Sequence, residues 1–392
     1  MSHIDMSVSR RNAACYALDT AVGLFYTVGV DKIGYIFNHS EFIGGGELSL
    51  LELMLAVRSP ERAVCAFVPA PGAVSRSLEQ AHVETTVLRM PSLRGAGWLR
   101  WPRTVRIWSK AFARQGLSLV HANGARCMLY AGAAARRDHI TCIWHVRVLE
   151  RDPLLDRLRA RMATGIIANS NVVAETLRPL MAEHNHLRVI YNAVPEMHPA
   201  KALSAPMLHE IPDIPVLLVL GRVTPEKGIE DLIEAAALLK KRGCRHTVCI
   251  AGATPDAHYL ARLRKRIRQH GLDNIQFPGH QDDVAQWLCE ASLLVLPSRR
   301  EAFGRVIIEA WQYGIPVVAA DQGGPAELIR HAEDGWLVPV RNPAALADVL
   351  EMLINHPQKR AALARAGRLR AKEFTLPTLM EQVVAFYHEL GV

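Results

Sequence analysis

Residues 300–329 read REAFGRVIIEAWQYGIPVVAADQGGPAELI. The spacing predicts a helix over 304–313, a short apolar strand over 316–320, and a second helix over 325–331 behind the Gly323-Gly324-Pro325 turn. Helix, buried strand and helix in succession form the repeating unit of a parallel sheet covered on both faces. Pro297 and Gly304 put the helix start near 303–305, leaving Glu301 in the preceding loop and Glu309 in the second turn. Were the whole span helical, the two carboxylates would stand about 12 Å apart along the axis. Retaining glycoside hydrolases need about 5–5.5 Å between carboxyls, so the spacing argues against hydrolysis. Two carboxylates accepting hydrogen bonds from hydroxyls at separate points of one extended ligand fit it better. The helix N-terminus between them offers free N–H groups to phosphates.

Outward from this stretch the same rhythm continues. Strands are expected at 215–220, 247–251, 275–277, 292–296 and 336–340, with helices at 228–242, 256–270, 283–290 and 343–354. Upstream, strands are expected at 32–37, 63–68, 83–88, 117–122, 140–146, 165–169 and 188–191, with helices such as 47–57 and 102–114. Between the two series, residues 194–215 hold five prolines and no periodicity, as a linker does. The fold class is α/β, with two doubly wound Rossmann-like domains facing across a cleft. Four segments are expected: an N-terminal extension (1–31), a first domain (32–195), a second domain (196–373), and a helix (374–392) that packs back on the first.

Ligands of open α/β sheets bind beyond the carboxyl ends of the strands. At one such end LGRVTPEKG puts Gly221 and Arg222 just before Lys227-Gly228 at a helix start. An arginine fork, a mobile lysine and the positive end of a helix together suit a diphosphate. At the first strand's end, IGGGELSLLEL lets backbone at Gly44, Gly45 and Gly46 approach a ligand before a helix opens near Glu47. CIWHVRVLE places His145 beside Arg147, and VHANG places His121 and Asn123, again at strand ends. Ser170 is expected to cap a helix and Asn192 to turn the chain near the hinge.

Gly221-Arg222-x4-Lys227-Gly228, then Glu301-x7-Glu309, then GIPVVAADQGGPAELI resemble the signature of the retaining GT-B glycosyltransferases of family 4. The resemblance spans 32–390 and is tightest over 216–340. It implies that Arg222 and Lys227 hold a donor diphosphate and stabilise the leaving group. Glu301 would touch the donor sugar's hydroxyls and Glu309 the nucleotide's ribose. The backbone of Phe303, Gly304, Val306 and Ile307 would line sugar and phosphates, with Gly44, Gly45 and Gly46 bordering the diphosphate. PGHQDD (278–283) would approach the nucleobase. His145 would reach the transferred sugar and complete the catalytic set of Arg222, Lys227 and Glu301. His121, Asn123 and Arg147 are acceptor-side candidates. The implied reaction retains anomeric configuration by front-face attack, and no enzymic nucleophile is evident. A UDP-sugar is the first expectation for the donor and a GDP-sugar the next. The nucleotide-sugar is a substrate; no cofactor and no metal are expected, since no Asp-x-Asp occurs and fixed cations can take the metal's part.

The chain has 392 residues and a formal charge of +8, and the excess lies in the first half. Residues 89–161 carry 15 basic against 4 acidic side chains. This basic region points to an anionic partner; together with the family resemblance it implies a glycan or lipid-linked acceptor in cell-surface polysaccharide or lipopolysaccharide synthesis. The helix at 102–114 puts Val105, Trp108 and Phe112 on one face and Arg103, Arg106, Lys110 and Arg114 on the other. This reads either as a core face with a solvated one or as a basic stripe for anionic lipid headgroups or a phosphorylated acceptor. The basic run at 262–268 lacks interleaved aromatics, so no nucleic-acid partner is expected. Seven scattered cysteines without CxxC pairs suggest reduced thiols in a cytoplasmic protein; the basic stripe would make it peripheral on the inner face of the membrane. In 1–31, two arginines precede an apolar stretch that Asp19 interrupts. This suits a surface extension or an interfacial helix better than a membrane span. A nucleotide-sugar epimerase or a sugar phosphorylase of the same architecture, or a non-catalytic scaffold of a glycan pathway, are the other readings. The set Arg222, Lys227, Glu301 and Glu309 disfavours the scaffold.

Overall fold

A computed structural model describes residues 31–197, 214–281 and 284–392. The expected extension up to residue 30, most of the proline-rich linker, and Asp282 and Asp283 of the 278–283 loop lie outside the described residues.

Two parallel sheets form the frame. The first comprises β1 (Asp31–Ile36), β2 (Arg62–Val68), β3 (Glu84–Val87), β4 (Leu119–Asn123), β5 (Thr141–Val146), β6 (Gly165–Ala168) and β7 (His186–Val189), in spatial order 3-2-1-4-5-6-7. The second comprises β8 (Val216–Leu220), β9 (Thr247–Ala251), β10 (Ile275–Gly279), β11 (Leu293–Leu296), β12 (Val317–Ala320) and β13 (Trp336–Val338), in order 10-9-8-11-12-13. Each chain segment starts mid-sheet, winds to one edge, then returns and winds to the other. The order thus reverses between β1 and β4 and between β8 and β11, the switch points at which open α/β sheets bind their ligands.

The strands VLLVL, LLVL and VVAA are buried along their whole length. Such unbroken apolar runs are what a parallel sheet needs when helices cover both faces. Phe67, Trp108, Tyr130 and Trp144 fill one side of the first sheet; Tyr35, Leu50, Met54 and Phe386 fill the other. In the second sheet Leu218, Leu296 and Trp311 lie on one side, and Val219, Ile233 and Leu350 on the other.

Some element ends differ from expectation. The strand expected at 275–277 runs on to Gly279 with a register shift after Gln276. It lies at the sheet edge, where the missing N–H of Pro278 is tolerated. The strand expected at 336–340 stops at Val338, just before Pro339. The helix expected from 325 to 331 ends at Leu328, because Ile329 turns to extended backbone and His331 bridges Gly335.

The helix Leu376–Glu389 crosses back to the first domain. Its start is fixed by Thr375, whose side chain accepts the N–H of Thr378, and by Pro377 in the first turn. It buries Leu379, Val383, Phe386 and Tyr387 against the Tyr35 side of the first sheet. Burying Phe386 alone is worth about 1.5–3 kcal/mol. Just before this helix, the carbonyl of Phe374 accepts the N–H of Val194, where the chain leaves the first domain, at 3.1 Å. Cys65, Cys127, Cys142 and Cys249 are buried unpaired thiols, and burial pushes Cys65 up to about 12. Among the described residues no helix is long and apolar enough to cross a membrane.

Candidate active site

The second domain supplies a loop pair at its switch point. After β8, Gly221 and Arg222 lead into one tight turn, Pro225–Lys227, and Gly228 adopts φ 64° before the helix Ile229–Lys241. Lys227 Nζ donates to a Glu301 carboxylate oxygen at 2.5 Å, with side chains 20% and 16% exposed. The fold thus joins two expected site residues from the loops after β8 and β11. Arg222 is exposed, and its charge acts on His39 and Glu47 of the first domain, which places it on the cleft.

The loop carrying Glu301 is held by the Gly323-Gly324 turn. A Cβ on Gly323 would sit 2.3 Å from the Glu301 carbonyl oxygen, and one on Gly324 2.3 Å from Phe303 Cα. The Gly324 N–H donates to the Glu301 carbonyl at 2.9 Å. Glycine is needed here because two backbones touch. Phe303 is buried against Tyr191 and Phe374, and Ile307 is fully buried. Both therefore offer a ligand backbone only. The helix Arg305–Tyr313 begins at Gly304 without a side-chain cap, so its first N–H groups, Val306 among them, have no side-chain acceptor.

Glu309 is engaged. Arg305 Nε donates to it at 2.9 Å, one helical turn away. The rest of the same guanidinium crosses to the helix Gly45–Val57 of the first domain. It donates to both Glu52 oxygens at 2.6 and 2.8 Å and to Ser49 Oγ at 2.9 Å. Arg305, Glu52 and Glu309 are each 12% exposed. Burial raises the Glu52 carboxyl above its ordinary range, and the hydrogen bonds and charge of Arg305 oppose that shift. Burial likewise raises Glu47, against the pull of Arg147 and Arg222. A second tie comes from Glu327, which accepts the N–H groups of Asn171 and Val172 at 2.7 Å each. A carboxylate of one domain thereby caps a helix of the other, alongside Ser170, which accepts the N–H of Val173.

In the first domain the Gly45–Val57 helix opens two residues earlier than expected, with Gly44 and Gly45 exposed. A Cβ on Gly45 would lie 3.5 Å from Arg305 Cδ and one on Gly46 3.8 Å from Arg147 Cδ, so this backbone sits where the two arginines meet. His121 and His145 are fully buried on the sheet face below it. His121 Nδ1 bonds the Tyr387 hydroxyl at 2.7 Å, and His121 Nε2 bonds His145 Nδ1 at 2.9 Å. Asn123 accepts from Arg147 Nε at 2.9 Å and donates to the Gly46 carbonyl at 3.3 Å. Arg147 also donates to Asn192. His121 and Asn123 are buried links at this strand end, as His145 is, with Asn123 joined to the start of the Gly45–Val57 helix. Arg147, half-buried, is the node that ties Asn123, His145 and Asn192 together.

Sequence reasoning missed Arg305, Glu52, Glu47, Glu327 and Tyr387. Only the Arg305-to-Glu309 spacing of four carried a local signal. The other partners meet through tertiary structure alone. Among the described residues no three His, Cys, Asp or Glu side chains cluster as a metal site.

Two doubly wound sheets, with a cation–carboxylate loop at one switch point and a side-chain-free loop at the other, define a GT-B architecture. The chain belongs to the family 4 glycosyltransferases: residues 43–196 match the model for Glycosyltransferase Family 4, and residues 208–370 that for Glycosyl transferases group 1. It is similar to a D-inositol 3-phosphate glycosyltransferase of Jonesia denitrificans, 35% identical over 188 residues, covering 46% of this chain and 44% of that protein. It is also similar to the alpha-D-kanosaminyltransferase of Streptomyces kanamyceticus, 36% identical over 187 residues, covering 46% and 47%. These matches span about half the length of the curated relatives. The crystal structure of Anabaena Alr3699/HepE in complex with UDP and glucose shares the fold, with TM-score 0.80 and 24% identity over 91% of this chain and 99% of that one.

Proposed function

We propose that the protein is a retaining, metal-independent glycosyltransferase that moves a sugar from a nucleotide diphosphosugar to an acceptor hydroxyl. The observation that carries this reading is the Lys227–Glu301 pair beside Arg222 and the uncapped Arg305–Tyr313 helix, across the cleft from Gly44, Gly45 and Gly46. Arg222, Lys227 and the helix N–H groups neutralise the departing diphosphate, where charge develops in the transition state. Glu301 and Glu309 accept hydroxyls at the two ends of the donor. An incoming diphosphate competes with Glu301 for Lys227 and frees that carboxylate for the sugar. His145 contacts the transferred sugar, and the leaving phosphate oxygen takes the acceptor proton. UDP is the first expected carrier, in keeping with the similar fold that holds UDP and glucose.

The acceptor is anionic and glycan- or lipid-linked, and the protein works at the cytoplasmic face of the membrane. Supporting this, Trp98 and Leu99 are 63% and 62% exposed on the turn Gly95–Arg100, beside exposed Ile107 and exposed Arg94, Arg100, Arg103, Arg106 and Lys110. An apolar tip amid cations suits the interface of an anionic bilayer. The test has two arms. Nucleotide release from UDP-glucose, UDP-N-acetylglucosamine and GDP-mannose, assayed with a cell-envelope lipid extract as acceptor, should require the extract and fall about 100-fold or more in Lys227→Ala. Release unchanged in that variant, or sugar conversion without an acceptor, would overturn the transfer reading. Cosedimentation with phosphatidylglycerol vesicles should be lost in W98S/L99S, and failure of the native protein to bind them at low salt would overturn the membrane reading.

A further inference from the structure

Four buried side chains form a hydrogen-bonded ladder across one face of the first sheet. The Tyr35 hydroxyl on β1 lies 3.1 Å from that of Tyr387 on the C-terminal helix. Tyr387 bonds His121 on β4, and His121 bonds His145 on β5. The ladder has one consistent direction. Arg147 Nη2 lies 3.3 Å from His145 Nδ1, and a guanidinium can only donate. His145 Nδ1 is therefore an acceptor, shared in a three-centre arrangement with His121. His121 Nε2 must then carry the proton it gives to His145, so its Nδ1 accepts from the Tyr387 hydroxyl. Tyr387 in turn accepts from Tyr35. The last member is left with its proton on Nε2, and that atom is buried with no partner among the described residues. A buried donor without an acceptor costs about 1–3 kcal/mol, which a ligand oxygen would recover.

The position of that atom gives it a use. His145 is the register partner of Asn123, and Asn123 holds the carbonyl of Gly46. His145 thus occupies the strand position next to the residue that holds the glycine backbone bordering the cleft. We propose that His121 and Tyr387 are positioning residues that hold His145 neutral with its proton on Nε2, ready to donate to a hydroxyl oxygen of the sugar being transferred. This rests on the donor reading above. Burial lowers His121 to about 3 and His145 well below its ordinary range, and in both the nearby Arg147 charge adds to the effect. Tyr387 is raised by burial and by Tyr35, so it keeps the proton it donates. The ladder also gives the C-terminal helix a place in the site, since its Tyr387 hydroxyl donates to His121 Nδ1 and supports the tautomer that Arg147 dictates from the other end.

The test reads the protons directly. In the 15N-labelled full chain, long-range nitrogen–proton spectra should show His145 unprotonated at Nδ1 and protonated at Nε2, assigned by His145→Gln. His121 should show the same pattern. Protonation of His145 at Nδ1 would overturn the proposal, and this readout needs no ligand. The second arm compares UDP with UDP-glucose by calorimetry. Tyr387→Phe removes one oxygen and keeps the ring packing. It should leave UDP affinity unchanged and cut the gain contributed by the glucose about 2–10-fold, the loss expected for one hydrogen bond. His121→Gln keeps an N–H donor to His145 and should retain most of that gain, whereas His121→Leu should not. A glucose contribution unchanged in both Tyr387→Phe and His121→Leu would overturn the positioning role. Wild-type protein that binds neither compound would remove the UDP-glucose reading, while the tautomer assignment stands or falls on the nitrogen spectra.

Discussion

Arg305→Met isolates the tie between the domains. The variant keeps an apolar stem and removes the charge that lies between Glu52 and Glu309, each 12% exposed. Breaking a buried pair by removing one partner costs about 3–5 kcal/mol, because the surviving charge is left without compensation. Here two carboxylates survive, and the lost bonds include both Glu52 oxygens and Ser49. At about 2–4 °C per kcal/mol for domains of this size, the melting temperature should fall about 6–20 °C at pH 8. The sign of the pH dependence follows from burial, which already raises Glu52 in the intact protein. Without Arg305 the carboxyl is raised further. A raised folded-state value means that its contribution to stability is complete below the ordinary carboxylate range and is lost as pH rises through the raised value. The deficit of Arg305→Met should therefore shrink as pH falls from 8 to 5. Adding Glu52→Gln to Arg305→Met removes one orphaned charge and should restore part of the loss. Calorimetric melts of the four proteins complete the cycle. A change under about 1 °C at pH 8, or a deficit independent of pH, would refute the reasoning.

Two other perturbations probe the cleft. Glu47 is 6% exposed and raised by burial, so its ionised form weighs against folding above the ordinary carboxylate range. Glu47→Gln should melt above wild type at pH 8 and level with it near pH 4, and a variant that melts lower at pH 8 would contradict this. Gly324→Ala would place a Cβ 2.3 Å from Phe303 Cα, forcing the two backbones apart. Overpacking of this kind costs about 1–3 kcal/mol or more, so a lower melting temperature and weaker UDP binding by calorimetry are expected together. Unchanged values for both would show that the turn does not brace the Glu301 loop.

The two sheets were legible because parallel strands covered on both faces must be apolar throughout, as in VLLVL and LLVL, and because helices separate them at regular intervals. The edges were less so. The strand expected at 275–277 continues through Pro278, since an edge position tolerates the missing N–H. Within the site, Lys227 and Glu301 stood out as polar residues after strand ends, and the switch point brings them together. Their neighbours were silent for a physical reason. Glu52 is one of two charges in an otherwise largely apolar helix and Arg305 a first-turn residue of another, and neither names its partner until the domains meet; Tyr387 looks like one more core aromatic. His121 and Asn123 were legible as polar residues at strand ends, whereas the buried bonds they make to Tyr387, His145 and Arg147 were not. Local pattern reports which way a side chain faces, and the partner it finds there is set by tertiary structure.

The central claim is a nucleotide-sugar site whose diphosphate is held by fixed cations. Calorimetric titration of the full chain with UDP, and with GDP and ADP beside it, in the presence of EDTA tests it most directly. The account predicts micromolar binding of one nucleotide, UDP first, unaffected by EDTA and abolished in Lys227→Ala. Binding to none of the three, binding that EDTA removes, or binding that survives the loss of Lys227 would contradict it.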